Sequence, residues 1–231
     1  MKKSDLLLLH GALGNKGQFD PLIPLIENNF VVHTLDFEGH GSTPAIHSNF
    51  RDEHFMENIV DYMDKHNLSC VDIFGYSMGG FVALCLAAKI PQRLRRVFTL
   101  ATKFNWTPEI AAKEITHLDA EIIEKKVPRF AQTLSERHKA EGWKNVLART
   151  REMFMHISSH RTLAEPEFKN MLHPVRLSLG DRDQMVTMEE TLEVFRMLPN
   201  GQLQIFPCTP HPFEKVPLKP LAEAIISFFT L

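Results

Sequence analysis

Short apolar runs alternate with helix-length stretches along this chain. The runs are Leu6 to Leu9, Val31 to Leu35, Val71 to Phe74, Val97 to Leu100, Val175 to Leu179 and Leu203 to Phe206. Runs of this kind, apolar on both faces and separated by helix-length segments, are the pattern of a parallel sheet covered by helices on each side. Between and after them the spacing predicts helices over Glu53 to His66, Met78 to Lys89, Met188 to Met197 and Leu218 to Phe229. Periodicity leaves buried helix open for any single run. Taken together, the runs predict an α/β fold with a mostly parallel sheet of about six strands and helices on both faces.

One interval breaks the rhythm. From Lys103 to Pro174, between the fourth and fifth runs, lie about seventy residues, far more than an ordinary βα connection. Helical patterns fill it over Glu109 to His117, Glu121 to Lys126, Phe130 to Glu141 and Lys144 to Ile157, punctuated by Pro108, Pro128, Pro166 and Pro174. No Gly/Ser-rich linker separates it from the rest, so the expectation is one domain over residues 1–231 with a helical insertion at 103–174.

Composition narrows the function classes. Of the 231 residues, 44% are hydrophobic and the formal charge is -2, enough apolar surface for a full core and no basic footprint for nucleic acid. The start, Met1-Lys2-Lys3, imitates the basic end of a signal peptide, but the apolar run that follows is shorter than the roughly 7 to 15 residues of a secretory h-region. The apolar stretch Gly79 to Ala88 stops well short of the roughly 18 residues of a membrane span. Cys70, Cys85 and Cys208 form no CxxC pair, which argues against a disulfide framework or a zinc site. A soluble, cytoplasmic protein without membrane partners, monomer or homodimer, is expected.

Chemistry enters at Gly75-Tyr76-Ser77-Met78-Gly79, between the third run and the helix that follows it. A serine hydroxyl is a poor nucleophile. It must be projected from a sharp strand-to-helix turn towards a base, with backbone N–H groups at the helix start facing the developing oxyanion. The pentapeptide alone would also suit a solvated glycine turn; its place between strand and helix favours the nucleophile.

On these residues the chain resembles the α/β-hydrolase fold family over most of its length. His10-Gly11-Ala12-Leu13-Gly14 resembles the family's HGxxG loop, and Asp36-Phe37-Glu38-Gly39-His40-Gly41-Ser42 its DxxGHGxS loop. The resemblance implies a capped serine hydrolase, with 103–174 as the cap. It also implies Ser77 as nucleophile and His211, beyond the sixth run, as general base. Asp183 would be the acid after the fifth run, and the N–H groups of Ala12 and Met78 the oxyanion donors, Leu13 being the less favoured alternative to Ala12. Spacing cannot separate Asp181 from Asp183, which point to the same side of an extended segment; the family's placement after Gly180 selects Asp183. Leu13, Tyr76, Phe104 and Trp106 are the expected substrate contacts. The family's first two strands have no counterpart ahead of Leu6, and Pro210 and Pro212 flank His211 where a small residue commonly precedes it.

The implied substrate is a small acyl compound, a carboxylic ester first, with no metal and no organic cofactor. The same groups would serve a carbon-carbon bond hydrolase, a lactonase, a thioesterase or a cofactor-free perhydrolase. A dehalogenase is disfavoured because those relatives carry Asp where this chain has Ser77. A ligand-binding protein without catalysis would have no need of Ser77, Asp183 and His211 together. Two other patterns are weak. Gly11, Gly14 and Gly17 with Asp36 give GxxGxxG rather than the dinucleotide GxGxxG. His156 and His160 sit at helical spacing without the Glu of HExxH, and read as a surface or cap-pocket pair. His10 and His40 read as structural loop residues. Phe130, Trp143, Phe154 and Met155 suit cap packing as well as they suit a substrate wall.

Overall fold

The computed structural model describes residues 3–230, so the signal-like Met1 and Lys2 lie outside the described residues. Six strands, β1 (Ser4–Leu9), β2 (Phe30–Leu35), β3 (Val71–Tyr76), β4 (Leu94–Leu100), β5 (Val175–Gly180) and β6 (Gly201–Phe206), form one sheet in the order β2-β1-β3-β4-β5-β6. Every adjacent pair is parallel. The helices begin with α1 (Ile23–Ile26), α2 (Asp52–Lys65) and α3 (Met78–Lys89). Then come α4 (Pro108–Ile115), α5 (Ala120–Lys126), α6 (Pro128–Arg137), α7 (Trp143–Ser159) and α8 (Glu165–Lys169). They end with α9 (Met188–Met197) and α10 (Leu218–Phe229).

Alternation along each strand divides the core in two. Leu7 and Leu9 of β1, Ile73 of β3 and Val97 of β4 turn towards α2, α3 and α9. Leu6 and Leu8, Phe74 and Phe98 turn the other way, towards α1 and α10. Central β3 is buried throughout, whereas edge strands β2 and β6 carry mostly half-buried residues, as expected at the rims of a twisted sheet. Helix α3 lies deepest, with every residue from Met78 to Ala87 buried.

Strand order sets the location of the site. From β1 the chain crosses to β2 on one side, through α1, and from β3 to β4 on the other, through α3. The loops leaving β1 and β3 therefore diverge. Such a switch point opens a crevice at the carboxyl ends of the strands.

Several elements differ from the expected runs. β4 begins at Leu94, three residues before the apolar run, because Arg95 and Arg96 are satisfied within the sheet. Their guanidinium groups reach the fully buried Asp72 at 3.4 and 3.0 Å, and Arg95 also donates to the Cys70 and Asp5 carbonyls. α6 stops at Arg137 instead of running to Glu141, since His138 leaves helical geometry and turns its ring inward. α1 and α8 are too short to give a periodic signal.

Gly79 shows how tightly α3 abuts β1. A Cβ there would stand 2.6 Å from the Leu9 carbonyl carbon and 2.7 Å from the His10 oxygen, both backbone and unable to give way. Gly79→Ala is expected to cost about 1 to 3 kcal/mol, the usual range for forced overpacking. Scanning calorimetry would register this as a midpoint lowered by several degrees; an unchanged midpoint would mean that the contact relaxes freely.

Candidate active site

Ser77 occupies the turn between β3 and α3 with φ 50° and ψ -116°, a conformation that residues with a side chain rarely adopt. Its neighbours hold it there. The Ser77 N–H donates to the Leu100 carbonyl at 2.8 Å, and its own carbonyl accepts from Gly80 N–H and the Thr102 hydroxyl, both at 3.0 Å. Strand and helix meet so closely that a Cβ on Gly75 would come within 2.5 Å of Gly80 Cα. The turn thus thrusts the Ser77 side chain into the crevice at the switch point.

Three side chains from separate loops line up. Ser77 Oγ lies 3.4 Å from His211 Nε2, and His211 Nδ1–H donates to Asp183 Oδ2 at 2.8 Å. The other carboxylate oxygen of Asp183 accepts from the Met185 and Val186 N–H groups, each at 2.8 Å. With 1% of its side chain exposed, Asp183 cannot turn away from the imidazole. Asp181 does something else: its Oδ1 accepts from Thr209 N–H at 3.2 Å and ties the β5 and β6 loops together. The His211 loop is anchored from below, where the Tyr76 hydroxyl donates to the His211 carbonyl at 2.9 Å. Burial pushes the Tyr76 phenol well above its ordinary pKa, so it remains a donor.

Two N–H groups border the same space. Met78 is the first residue of α3, where N–H groups have no partner within the helix. Ala12 lies on the loop after β1, next to Leu13 at φ 59°. That loop is clasped from α6, because the Leu13 carbonyl accepts from Arg137 Nη1 at 2.8 Å and from His138 Nε2–H at 2.9 Å. His138 Nδ1 accepts in turn from Gly41 N–H at 3.1 Å. A single buried ring therefore joins the two glycine-rich loops.

A cavity of about 270 Å³ opens from Ser77 and His211, with Ala12, Leu13, Tyr76 and Met78 in its wall. Residues from the long β4–β5 segment close it, including Trp106, Phe130, Met153 and Phe154. Trp106 is 7% exposed and packs on Phe154 with centroids 4.6 Å apart. Phe104 is not part of this wall. It turns to a second cavity and packs edge-on against Phe168. Trp143 lies against Ile123 and Leu147, away from the cavity. Lys103, Arg137 and Phe81 line the cavity too, although no motif marks them in the sequence.

A family model described as alpha/beta hydrolase fold matches residues 6–140, more than half of the chain. The chain belongs to the alpha/beta hydrolase fold family. That match ends before β5; likeness to solved structures continues past it. The enol-lactonase from Burkholderia xenovorans LB400 superposes with a TM-score of 0.81 at 17% identity, covering 100% of this chain and 93% of that one. A pimeloyl-[acyl-carrier protein] methyl ester esterase of Neisseria meningitidis is 34% identical over 95 residues, 41% of this chain and 35% of the relative. The chain thus spans about a third of the length of the curated relatives that match first. The 2-(acetamidomethylene)succinate hydrolase of Mesorhizobium japonicum aligns over 96% of this chain and 87% of its own length, at 19% identity.

Within this hydrolase fold the remaining polar motifs have structural employment. Asp36 accepts from Lys16 N–H at 2.6 Å and Ser42 N–H at 3.3 Å, so its carboxylate ties loops together. Two groups of metal-capable side chains occur among the described residues. In the first, His47 Nδ1–H donates to buried Glu38 at 3.0 Å. Its ring stacks on His54 at 3.7 Å and 12°, and two parallel rings cannot both aim an in-plane lone pair at one ion. In the second, Asp52 and Glu53 of α2 meet His156 of α7, on which His160 stacks at 4.3 Å; sequence spacing gave no sign of the two carboxyl groups. No helix among the described residues is long and apolar enough to cross a membrane.

His10, His40 and His138 form a fully buried group beneath the loops, with His40 5.1 Å from His10 and 5.6 Å from His138. Desolvation disfavours the charged form of all three: His10 falls to about 3, and the other two also lie below their ordinary value. A histidine with a lowered pKa binds fewer protons folded than unfolded, so the stability it contributes is complete above about pH 6.5 and is lost as the pH falls. Asp52, raised by burial to about 6, works in the opposite direction, but three groups outweigh one. The thermal midpoint is therefore expected to drop between pH 7 and pH 5, and to drop less in His138→Gln. A midpoint constant over that range would mean that the buried imidazoles accept protons at no cost.

Proposed function

We propose that this chain is a serine hydrolase that cleaves a carboxylic ester or a closely related small acyl compound. The observation that carries the reading is the continuous line from Ser77 Oγ through His211 to buried Asp183, at 3.4 and 2.8 Å, opening into an apolar cavity. The curated relatives named as an ester esterase and a hydrolase support it.

His211 Nε2 takes the Ser77 proton as Oγ attacks the carbonyl carbon, and the N–H groups of Met78 and Ala12 hold the oxygen that becomes negative. The 3.4 Å separation is that of a free enzyme, in which such contacts are often long, and it shortens once substrate is bound. Collapse of the tetrahedral intermediate expels the leaving group, which takes the proton from His211, and leaves an acyl group on Ser77. Water then loses a proton to His211 and attacks the acyl carbon, and as the second tetrahedral intermediate collapses Ser77 Oγ leaves, takes that proton back from His211 and frees the acid. Asp183 holds the tautomer with Nδ1 protonated and stabilises the imidazolium. All of these steps use side chains and peptide groups of this chain, without metal or organic cofactor. Residues 103–174 act as a cap, since α4, α6 and α7 supply the wall opposite Ser77.

Ser77→Ala is expected to abolish labelling by a fluorophosphonate and to lower ester turnover by up to about a millionfold. Retained turnover in that variant would remove Ser77 from the mechanism. The two aspartates should separate cleanly. Asp183→Asn is expected to cost up to about ten-thousandfold in turnover with little change in melting. Asp181→Ala should leave turnover within a few-fold and lower stability by about 1 kcal/mol, the value of one lost hydrogen bond. The reverse outcome would exchange their roles.

A further inference from the structure

A second cavity backs onto the first. It also measures about 270 Å³, and Phe81, Trp106 and Ile157 belong to the walls of both. These three side chains are 5 to 7% exposed and form a partition. Beyond it, Phe104, Leu163, Phe168 and Val194 give the second cavity one apolar side, facing Asn105, Thr162 and the buried Glu190, while the charged Arg161, Glu165 and Glu193 stand exposed at its rim.

We propose that Trp106 sets the acyl-chain length this site accepts, and that the second cavity is a binding site for the distal part of a longer alkyl chain, closed off by the indole. The proposal rests on the hydrolase reading for its substrate and on the shared wall for its geometry. Of the partition residues, Phe81 lies within α3 and Ile157 within α7, so their backbones are fixed by helices. Trp106 comes from the connection between β4 and α4, yet that connection is also held. The Glu190 carboxylate accepts from the Phe104 and Asn105 N–H groups at 2.9 and 3.3 Å, and Lys103 Nζ donates to the Met185 carbonyl at 2.7 Å. With the peptide pinned, removal of the indole leaves an opening between two existing spaces instead of a collapse. The first cavity then continues into a channel of about twice the volume, apolar along the side made by Phe104, Leu163, Phe168 and Val194.

Each methylene moved from water into that channel favours binding by a factor of about four, so several together exceed tenfold. The test compares wild type, Trp106→Ala, Trp106→Leu, Ala164→Phe and the double variant Trp106→Ala/Ala164→Phe. Ala164 lies in the wall of the second cavity alone, and the added ring would block the extension. Two series are read: kcat/KM for p-nitrophenyl esters of four to twelve carbons, and calorimetric binding of the matching alkanoic acids. Wild type and Ala164→Phe should favour the short members alike. Either Trp106 variant should raise the twelve-to-four-carbon ratio at least about tenfold, and Ala164→Phe should cancel that gain in the double variant. An unchanged ratio in folded Trp106 variants overturns the proposal, as does a gain that Ala164→Phe fails to reverse. If wild type hydrolyses no ester, the hydrolase reading fails separately, and the binding series still decides whether Trp106 divides the two cavities.

Discussion

The constraint on which the site depends is the turn at Ser77, where a residue with a side chain is kept at positive φ. Such a conformation is unfavourable by itself and persists because its surroundings determine it several times over. The Leu100 carbonyl, the Gly80 N–H and the Thr102 hydroxyl fix the peptide groups on either side. Gly75, Gly79 and Gly80 let β1, β3 and α3 approach within distances that a Cβ would forbid. Burial of almost the whole of α3 supplies the stability that holds the turn in place. The fold and the proposed nucleophile are thus two descriptions of one packing problem.

A second dependence runs from the β4–β5 segment to the loop after β1. Arg137 and His138, at the end of α6, both bond to the carbonyl of Leu13, and His138 reaches Gly41 with its other nitrogen. The same segment supplies Trp106 and Phe154 to the cavity. Changes in these helices therefore reach the site in two ways, through the shape of the cavity and through the position of the Ala12 peptide.

Much of the architecture could be read from the chain because buried strands and helices announce themselves by apolar pattern. All six strands fall on the expected runs, and the helix Met78 to Lys89 has the predicted limits. The first residues of β4 are hidden because Arg95 and Arg96 look like solvent residues until Asp72 is seen beside them. Ser77 was legible from its glycines and its place between strand and helix, whereas Asp183 and His211 needed the family resemblance. What linear sequence could not show was direction within the β4–β5 segment. Phe104 and Trp106 are two apart, yet one faces the second cavity alone and the other both. His138 gave no signal at all, since its two partners lie 97 and 125 residues away.

The Gly11 carbonyl accepts twice, from His10 Nδ1–H at 2.8 Å and from Gly14 N–H at 3.0 Å. That carbonyl belongs to the same peptide unit as the Ala12 N–H. Gly14 N–H belongs to the peptide unit of the Leu13 carbonyl, on which Arg137 and His138 converge. Each acceptor bond draws electron density along its amide and makes the N–H at the far end a stronger donor, by roughly 10 to 30% per bond. Two amides coupled in series therefore form a polarised wire that begins at a guanidinium on α6 and terminates at the Ala12 proton.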